Sequence, residues 1–387
     1  MDISGATQNF TREMIQQVYG VPFADGNRVT LLWKSRDLFQ IIFDIVRNAK
    51  ELICLEFYIF RNDETGNELA EILKQKAFDG VKVYILYDHF GSYTTPMKFW
   101  KSLKQSGVHI TASRPFKWTK PFHYVHRDHK KLVIIDGIKA FTGGLNIANE
   151  YRGYHRTKKV KGWRDTGISL EGPIAKTLLN TFRKSYEIWT GVPIRFDKQV
   201  DPIINGISVI PIFATTSRGR RKMRKLLYYS INQAKRNMYF TTAYFTPSRR
   251  MLQVLEEAVL RGVDVKLLLP GKSDILAAHY AARAFFTRLL KAGIEIYNYQ
   301  GEVLHAKAYV FDGIWSIIGS ANLDFQSLRI NDEGNVGILD SKFGGQMMEV
   351  FSEDLKHSEK ITLDKWIKRP FTEKVKEHFF ALFRRRL

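Results

Sequence analysis

The sequence predicts an α/β protein made of two duplicated α/β/α halves, with mostly parallel sheets in a pseudo-twofold arrangement. Three observations favour this fold class. Apolar runs typical of buried strands alternate with segments of helical periodicity. One short polar motif occurs twice. The same order of predicted elements surrounds each copy, and because two copies are too few for a solenoid, we expect a pseudo-twofold pair.

A leader and a first half make up the N-terminal part of the chain. In the leader, residues 1–27, Phe10, Ile15 and Val18 recur at helical spacing, so we expect a short amphipathic helix that packs on the core. The first half spans residues 28–200. Its predicted strands cover residues 29–32, 52–60, 81–87 and 106–110. Its predicted helices cover residues 38–51, 69–78 and 97–105.

The second half, residues 201–345, repeats this order. Its predicted helices cover residues 225–234, 249–260 and 276–291, and its predicted strands cover residues 238–243, 263–269 and 293–296. Matching pairs such as Gly80-Val81 and Gly262-Val263 occur in the same order in both halves. Strands that alternate with helices indicate a mostly parallel sheet covered on both faces. Residues 346–387 are expected to form a C-terminal tail.

The repeated motif reads His-x-Lys-x-x-x-x-Asp-Gly. The first copy begins at His129 and the second at His305. Each copy crosses an apolar run typical of a buried strand, and its Asp-Gly pair is typical of a tight turn. The copies continue as Gly143-Gly144-Leu145-Asn146 and Gly319-Ser320-Ala321-Asn322. A single His-x-Lys is common at strand edges, but a chance duplication of the whole pattern is rare, so the motif indicates a function.

The residue types of the motif suit an anionic substrate. Side chains at i and i+2 share one face of a strand, so His129 and Lys131 are expected to point the same way. The same holds for His305 and Lys307. An ammonium group holds negative charge while an imidazole performs proton or nucleophilic chemistry. The motif aspartates fall at the strand exits on the opposite parity, and we interpret Asp136 and Asp312 as orienting or turn-capping groups rather than proton carriers.

The composition restricts the compartment and the partner. The chain has 60 Lys and Arg against 39 Asp and Glu, a net charge of +21. This balance indicates a polyanionic partner, either a nucleic acid or an anionic membrane surface. Cys54 is the only cysteine, which excludes a disulfide framework or a cysteine-based metal site and favours a reducing compartment. The sequence shows no signal-peptide pattern and no apolar run long enough for a spanning helix.

The paired motifs, each with its trailing asparagine, resemble the phospholipase D superfamily. More narrowly, residues 28–370 resemble bacterial cardiolipin synthases, without the two N-terminal transmembrane helices of typical members. The other stretches that carry the resemblance are Trp163-Arg164-Asp165-Thr166, Pro270-Gly271-Lys272-Ser273-Asp274, Gly319-Ser320-Ala321-Asn322-Leu323-Asp324, Asn331-Asp332-Glu333 and Leu363-Asp364-Lys365-Trp366.

The resemblance implies a two-step displacement at a phosphodiester. One histidine forms a phosphohistidine while the other handles protons, and we favour His129 as the nucleophile. The catalytic set that it implies is His129, Lys131, Asp136, His305, Lys307, Asp312, Asp165 and Glu333. Of these, Asp165 and Glu333 are the candidates for fixing the imidazole tautomers. The implied substrate-binding set is Asn146, Asn322, Gly144 and Ser320.

We predict that the site uses no metal and no cofactor. Two lysines and a histidine pair already supply the positive field that Mg²⁺ provides at other phosphoryl-transfer sites. This prediction applies only to the site formed by the two motif copies, because it rests on the charges of their lysines and histidines.

The tail points to a membrane partner. Residues 371–387 combine an apolar stripe with basic residues, which is typical of an interfacial amphipathic helix, although docking on the protein body is the alternative. Basic stretches at residues 152–164 and 218–225 are further candidates for contact with anionic headgroups. We therefore expect a cytoplasmic protein peripherally associated with an anionic phospholipid membrane that contains phosphatidylglycerol and cardiolipin. Nucleic acid is not expected as a partner, and the oligomeric state stays open.

The leading functional hypothesis is a cardiolipin synthase-type phosphatidyltransferase that takes a phosphatidyl group from phosphatidylglycerol or another phospholipid. Three alternatives remain open at this point. A phospholipase D-type hydrolase or headgroup exchanger shares the same covalent intermediate. A metal-independent nuclease of the same superfamily also fits the positive charge. The last is a membrane-binding protein with a decayed site, although every motif residue is present.

Overall fold

The computed structural model describes residues 9–116, 119, 126–153 and 161–384. The elements up to residue 200 are β1 (Ala24–Leu32), β2 (Leu52–Phe57), β3 (Lys82–Asp88), β4 (His109–Ser113), β5 (Leu132–Ile135), β6 (Lys139–Gly143), β7 (Gly167–Glu171), α1 (Arg12–Tyr19), α2 (Ser35–Arg47), α3 (Glu64–Phe78), α4 (Met97–Gln105), α5 (Asn149–Arg152) and α6 (Pro173–Thr190).

The elements after residue 200 repeat this series and add a tail. The strands are β8 (Ile207–Ala214), β9 (Asn237–Thr242), β10 (Asp264–Pro270), β11 (Glu295–Tyr299), β12 (Lys307–Phe311), β13 (Trp315–Gly319), β14 (Glu333–Leu339) and β15 (Ser358–Ile361). The helices are α7 (Ser217–Gln233), α8 (Arg249–Leu260), α9 (Leu276–Arg283), α10 (Phe286–Lys291), α11 (Phe325–Arg329), α12 (Ser341–Lys356), α13 (Leu363–Ile367) and α14 (Phe371–Leu382).

One continuous sheet runs through both halves. From the centre outward, the first half contributes β1, β7, β6, β5, β2, β3 and β4, and the second half contributes β8, β14, β13, β12, β9, β10 and β11. The two series match strand for strand, and β1 pairs with β8 in antiparallel orientation. This order is what a pseudo-twofold relation between duplicated halves produces. The tail adds β15 at the outer edge of the second half.

The expectation of a mostly parallel sheet is wrong. Among the described residues, only the pairs β2–β3, β3–β4, β9–β10 and β10–β11 are parallel, whereas all others are antiparallel. The Asp-Gly turns explain two of the antiparallel pairs, β5–β6 and β12–β13. Asp136 and Gly137 have φ angles of 52° and 66°, and Asp312 and Gly313 have 53° and 67°. Two consecutive residues with positive φ close a tight hairpin, and a hairpin connects antiparallel strands.

The predicted leader is part of the folded body. Helix α1 packs against α7, so its apolar face joins the core of the second half, as the periodicity predicts. Tyr19 donates a hydrogen bond from its hydroxyl to the backbone oxygen of Phe213 at 3.1 Å. Strand β1 begins at Ala24, within the segment assigned to the leader. The first residues of the described chain therefore tie the second half to the strand at the centre of the sheet.

Helices cover both faces of the sheet and bury a core in each half. A third apolar cluster joins the halves, in which Leu178 and Phe182 of α6 lie with Val336 and Ile338 of β14. Because this cluster is continuous across the boundary, the two motif copies are held in a fixed relation. Every described helix is too short or too polar to cross a lipid bilayer.

Candidate active site

Both motif histidines line one cavity of about 750 Å³ between the halves. The cavity lies at the C-terminal ends of β2 and β9, which are internal strands of the sheet. Strand β5 runs antiparallel to β2, and β12 runs antiparallel to β9, so both motif strands begin at this same end of the sheet. His129 and Lys131 stand just before β5, and His305 stands two residues before Lys307 at the start of β12. The structure thus brings the two His-x-Lys pairs together.

Backbone contacts between the halves position each histidine. The backbone N–H of His129 donates to the oxygen of Asp332 at 2.9 Å, and that of His305 donates to the oxygen of Arg164 at 2.7 Å. Both contacts belong to short parallel bridges, one at each motif copy. Each motif copy is therefore joined to a segment of the opposite half at its histidine.

The two candidate carboxylates act across the halves. His129 Nδ1 lies 3.1 Å from Glu333 Oε2, and His305 Nδ1 lies 2.8 Å from Asp165 Oδ2. All four side chains are buried. The sequence identifies both carboxylates, but the structure pairs each with the histidine of the other half. Neither half alone contains a complete histidine–carboxylate pair.

The contacts of His305 define its tautomer. Lys307 Nζ lies 2.9 Å from Nδ1 and 3.0 Å from Nε2 of this ring. Because a carboxylate oxygen accepts, we assign the ring proton to Nδ1, which donates to Asp165, and the lone pair to Nε2. An imidazole whose Nδ1–H is held by a carboxylate presents a basic Nε2 for proton transfer or attack.

Burial tunes the charges of the site. It lowers the pKa of Lys131 to about 7 and that of Lys307 to about 8. Burial and the adjacent lysines also lower the pKa of His305, and they lower that of His129 well below its usual value. Both imidazoles are therefore neutral at pH 7 before an anionic substrate enters. The two lysines change their charge close to that pH, because their pKa values are about 7 and about 8.

Gly144 and Ser320 occupy equivalent positions beside the two carboxylates, and the difference between them has a steric cause. A Cβ atom at Gly144 would lie only 2.2 Å from Asp165 Oδ1. Ser320 instead donates a hydrogen bond from its hydroxyl to Glu333, and its oxygen accepts from the backbone N–H of Gly334 at 2.9 Å. The glycine makes room for one carboxylate, and the serine orients the other.

Asn146 and Asn322 also line the cavity. Their amide oxygens accept from the backbone N–H groups of Ile59 at 3.0 Å and Tyr244 at 3.2 Å, the equivalent residues after β2 and β9. Asn146 Nδ2 donates to the hydroxyl of Tyr151 at 2.7 Å. These contacts fix the amide oxygens on the protein, so the amide N–H groups are the parts of the side chains that can face a substrate.

The motif aspartates do not reach the cavity, which corrects their inclusion in the catalytic set. Asp136 accepts hydrogen bonds of 2.8 to 2.9 Å from the backbone N–H groups of residues 50–52. Asp312 accepts from those of residues 235–237 in the same way. Both stand at the far end of the motif strands because the apolar run between His and Asp spans the sheet. Their contacts match the turn-capping interpretation.

Aromatic side chains pack around both imidazoles. Of these, Trp163 belongs to a stretch that carries the family resemblance, whereas Tyr58 and Tyr151 were not predicted. Tyr58 contacts His129 edge to face at a ring-centroid distance of 5.1 Å, and Tyr151 contacts His305 at 5.2 Å. Trp163 lies 5.6 Å from the His305 ring. In the sequence the two tyrosines are marked only by a position near a strand end or a motif. Many aromatic residues that serve only in packing have the same kind of position. These rings limit the orientations that the imidazoles adopt.

Buried ion pairs hold the segments that flank the site. Lys130 Nζ lies 2.9 Å from both Glu56 and Asp128, and all three side chains are buried. Arg164 binds Asp354 through two nitrogens at 2.8 and 2.6 Å. Removal of one partner of a buried ion pair is strongly destabilising, so these contacts keep the residues beside His129 and Asp165 in place.

A comparison with known protein families agrees with this arrangement. The family model described as "Cardiolipin synthase, PLD-like domain" matches residues 42–155 and 227–355, and each matched segment contains one motif copy. The chain belongs to the phospholipase D-like family of cardiolipin synthases. Cardiolipin synthase 1 of Bacillus cereus is 34% identical over 382 residues, covering 96% of this chain and 74% of that protein. The major cardiolipin synthase ClsA of Bacillus subtilis is 33% identical over 363 residues, covering 92% and 74%.

Solved structures confirm the mixed α/β fold of this cardiolipin synthase relative. The crystal structure of phosphatidylserine synthase from Haemophilus influenzae superposes with a TM-score of 0.75 at 14% identity, covering 97% of this chain and all of that one. A polyphosphate kinase from Porphyromonas gingivalis superposes with a TM-score of 0.57 at 14% identity, covering 87% of this chain and 49% of that one. The predicted superfamily and the predicted α/β class with duplicated halves are confirmed, whereas the predicted direction of most strands is not.

Parts of two predicted basic surfaces lie outside the described residues. These are residues 154–160 of the first basic stretch and residues 385–387 at the end of the tail. The predicted division into a leader, two halves and a tail stays a prediction about domain boundaries.

Proposed function

We propose that the chain is a cardiolipin synthase-type phosphatidyltransferase. It transfers a phosphatidyl group from phosphatidylglycerol, or another phospholipid, to a lipid alcohol through a phosphohistidine. The crossed arrangement of two histidine–carboxylate pairs over one cavity carries this proposal. It supplies a nucleophile and a proton carrier on opposite sides of one phosphorus atom, as a two-step displacement requires.

In the first step, His129 Nε2 attacks phosphorus and the bond from phosphorus to the headgroup oxygen breaks. His305 gives its proton to the leaving oxygen. The incoming phosphodiester favours this protonation, because a negative charge nearby raises the pKa of an imidazole. Lys131 and Lys307 balance the charge on the non-bridging oxygens, and the amide N–H groups of Asn146 and Asn322 donate to them.

In the second step, the acceptor hydroxyl gives its proton to His305 and its oxygen attacks phosphorus. The bond from phosphorus to His129 breaks, which releases the new phosphodiester and restores both imidazoles. Retention of configuration at phosphorus follows from two successive in-line displacements. The same intermediate passes to water in a hydrolase, so the identity of the acceptor is decided by what the cavity binds.

The charges around the two rings favour His129 as the nucleophile. Burial and the neighbouring lysine lower the pKa of His129 well below its usual value, so it keeps its lone pair. The pKa of His305 is also lowered, but Asp165 and Asp274 oppose the shift. His305 is therefore better able to hold the proton that the acid–base role requires.

We place the protein at the cytoplasmic face of an anionic membrane, and the tail helix α14 supports this location. Several of its exposed side chains are apolar, with Phe371 and Leu382 each 77% exposed and Phe379 54% exposed. They alternate with exposed polar and basic residues such as Lys376 and His378. The inward side packs on α9, where Glu377 is fully buried and pairs with Arg283, and where the ring of Phe380 stacks on that of Tyr280. Exposed apolar rings mixed with basic side chains are typical of a helix at a lipid interface, which supports this location.

The decisive experiment is lipid mass analysis. The purified protein is incubated with vesicles of labelled phosphatidylglycerol, and the products are compared with those of a His305→Ala variant. We expect a labelled four-chain lipid together with free glycerol from the wild type and neither from the variant. Phosphatidic acid as the sole product would instead make the protein a hydrolase, and the absence of any headgroup release would refute the proposal.

A further inference from the structure

The cavity has two chemically different sides. Among its described lining residues, both carboxylates, Asp274 and Asp324, come from the second half, whereas phenols come from both halves, Tyr58 and Tyr151 from the first and Tyr244 from the second. The one lining residue with a permanent positive charge, Arg127, comes from the first half, where its guanidinium lies 4.3 Å from the centroid of Phe90. The duplicated halves therefore do not present the same groups to a substrate.

Internal equivalence shows where this difference arises. Ile59 and Tyr244 are equivalent because each donates its backbone N–H to the motif asparagine of its own half. Ala148 and Asp324 are equivalent because each stands two residues after that asparagine. The scaffold is thus shared, whereas an apolar residue in the first half is replaced by a hydrogen-bonding one in the second half at both positions. Of the four residues, Ile59, Tyr244 and Asp324 line the cavity and Ala148 is buried.

Tyr244 and Asp274 form one unit beside the proton carrier. The Tyr244 hydroxyl donates to Asp274 Oδ2 at 2.7 Å, which orients the carboxylate, and the Tyr244 ring lies 6.3 Å from the His305 ring. Asp274 is exposed at the cavity wall, and its charge acts on both His305 and Lys307. Asp324 is buried on the same side, where it caps α11 by accepting from Ser327 at 2.6 Å.

Carboxylates at this position select the kind of group that binds. A carboxylate repels a phosphate oxygen but accepts strong hydrogen bonds from hydroxyl groups. The same side must bind both alcohols of the reaction, because in-line displacement places the leaving and the entering oxygen opposite His129 and therefore next to His305. A glycerol headgroup carries vicinal hydroxyl groups, of which one reacts and the others remain free to donate.

Resting on the proposed phosphatidyltransferase function, we infer that Tyr244, Asp274 and Asp324 form a subsite for the neutral polyol headgroup. It binds the glycerol that leaves the donor and the glycerol hydroxyl that attacks the intermediate. The first-half side with Arg127 then faces the remainder of the donor. The subsite is a determinant of specificity, and it does not take part in bond breaking.

The test compares two donors that differ only in the leaving group. Phosphatidylglycerol releases glycerol, whereas phosphatidylpropanol releases an alcohol that also needs a proton from His305 but has no further hydroxyl group. Loss of a hydrogen bond to a charged acceptor costs about ten- to a hundredfold in kcat/KM, so Asp274→Asn is expected to slow phosphatidylglycerol by this factor. The kcat/KM of phosphatidylpropanol is expected to change by less than about twofold, since this donor makes no such bond.

Two further variants make the result specific. Tyr244→Phe keeps the ring but removes the hydroxyl that orients Asp274, so it is expected to reduce the same donor preference in part. Asp201→Asn alters an exposed aspartate that is not among the described cavity residues, and it is expected to leave kcat/KM unchanged for both donors. Equal loss for both donors, or an unchanged preference in Asp274→Asn, overturns the subsite. A wild type that cleaves neither donor would contradict the proposed function itself.

Discussion

The orientation of each catalytic imidazole depends on a single carboxylate oxygen from the opposite half. Asp165 holds His305 at 2.8 Å and Glu333 holds His129 at 3.1 Å, both through Nδ1. In the proposed mechanism this contact leaves Nε2 as the reactive atom on each ring and stabilises the positive charge that develops when the ring takes a proton. We therefore expect the two carboxylates to be as important to the reaction as the histidines that they orient.

We predict that Asp165→Asn lowers kcat by about 10²- to 10⁴-fold, because the amide favours the wrong tautomer of His305. The fold is expected to persist, since aspartate and asparagine have nearly the same shape. The measurement is phosphatidylglycerol turnover with circular dichroism of the same sample. Full activity in a folded Asp165→Asn protein would show that the carboxylate is only structural.

Gly144 and Ser320 provide a second prediction at this scale. Gly144→Ala introduces a Cβ atom 2.2 Å from Asp165 Oδ1 in the present geometry, so it must displace that carboxylate from His305. We expect a loss of kcat of about 10²-fold or more, the scale of general acid–base catalysis. Ser320→Ala is the matched control, because it removes one hydrogen bond to Glu333 without adding an atom and should cost less. Equal effects of the two substitutions would contradict the steric explanation.

Individual residues also show what the sequence can and cannot predict. The repeated motif identifies both His-x-Lys pairs, and the resemblance adds both carboxylates. The crossing of the pairs is not predictable from a linear pattern, since His129 and Glu333 are separated by 204 positions and meet only through the docking of the halves. Tyr58 and Tyr151 carry no motif, because an aromatic ring near a strand end is more often part of the core.

At the scale of strands and turns, the motif aspartates act as structural anchors. Each closes a hairpin with a positive φ angle and accepts hydrogen bonds from three consecutive backbone N–H groups. These contacts tie the end of β5 to the start of β2, and the end of β12 to the start of β9. The distance from the cavity follows from the length of the strand that separates His from Asp.

We predict that Asp136→Ala lowers the free energy of unfolding by about 3 kcal/mol, since it leaves buried N–H groups without an acceptor. Denaturant unfolding measures this change. The kcat of the folded fraction is expected to stay within about twofold of the wild type, because no cavity contact changes. A large loss of kcat with unchanged stability would return Asp136 to the catalytic set.

The sequence predicts the positions of most strands but the direction of only some of them. Alternating strands and helices correctly place β2, β3, β4 and their second-half equivalents in parallel order. The same reasoning fails for the motif strands, because the Asp-Gly pair makes a hairpin and not a crossover. The Asp-Gly pairs were predicted to be tight turns, but the antiparallel hairpin that such a turn closes was not inferred; the φ angles of 52° at Asp136 and 53° at Asp312 show it.

Helix α14 gives a prediction about the membrane. Replacing Phe371 and Phe379 with serine removes two exposed apolar rings and is expected to weaken binding to phosphatidylglycerol vesicles by about tenfold or more, given the free energy of burying such side chains. Phe78→Ser is the control, since this ring is 86% exposed at the end of α3 in the first half. Vesicle flotation measures both. Equal binding of all variants would place the lipid contact elsewhere.

At the scale of the whole molecule, charge and burial set the pH range of activity. The pKa of Lys131 is about 7 and that of Lys307 about 8, so both ammonium groups are fully charged only well below pH 7. Above these values the site loses the positive charge that holds the phosphodiester in the proposed mechanism. We predict that kcat/KM for phosphatidylglycerol falls as the pH rises above 7 to 8. A pH profile that stays flat to pH 10 would contradict this role of the lysines.

The molecule works as one unit because the duplication divides every catalytic pair between the halves. The continuous sheet, the shared apolar cluster and the bridges at the two motifs fix the histidines over a single cavity. The paired motifs were enough to predict a shared site. The chemical difference between its two sides arose from single positions such as Asp324, whose placement in the cavity required the three-dimensional structure.

Trapping the covalent intermediate tests the central claim most directly. His305→Ala is mixed with labelled phosphatidyl-p-nitrophenol, whose leaving group needs no acid, so the first step proceeds while the second step lacks its base. The account predicts one equivalent of p-nitrophenolate per protein and the label on the peptide that contains His129, with no such burst from His129→Ala. A burst without any adduct at His129 would contradict it.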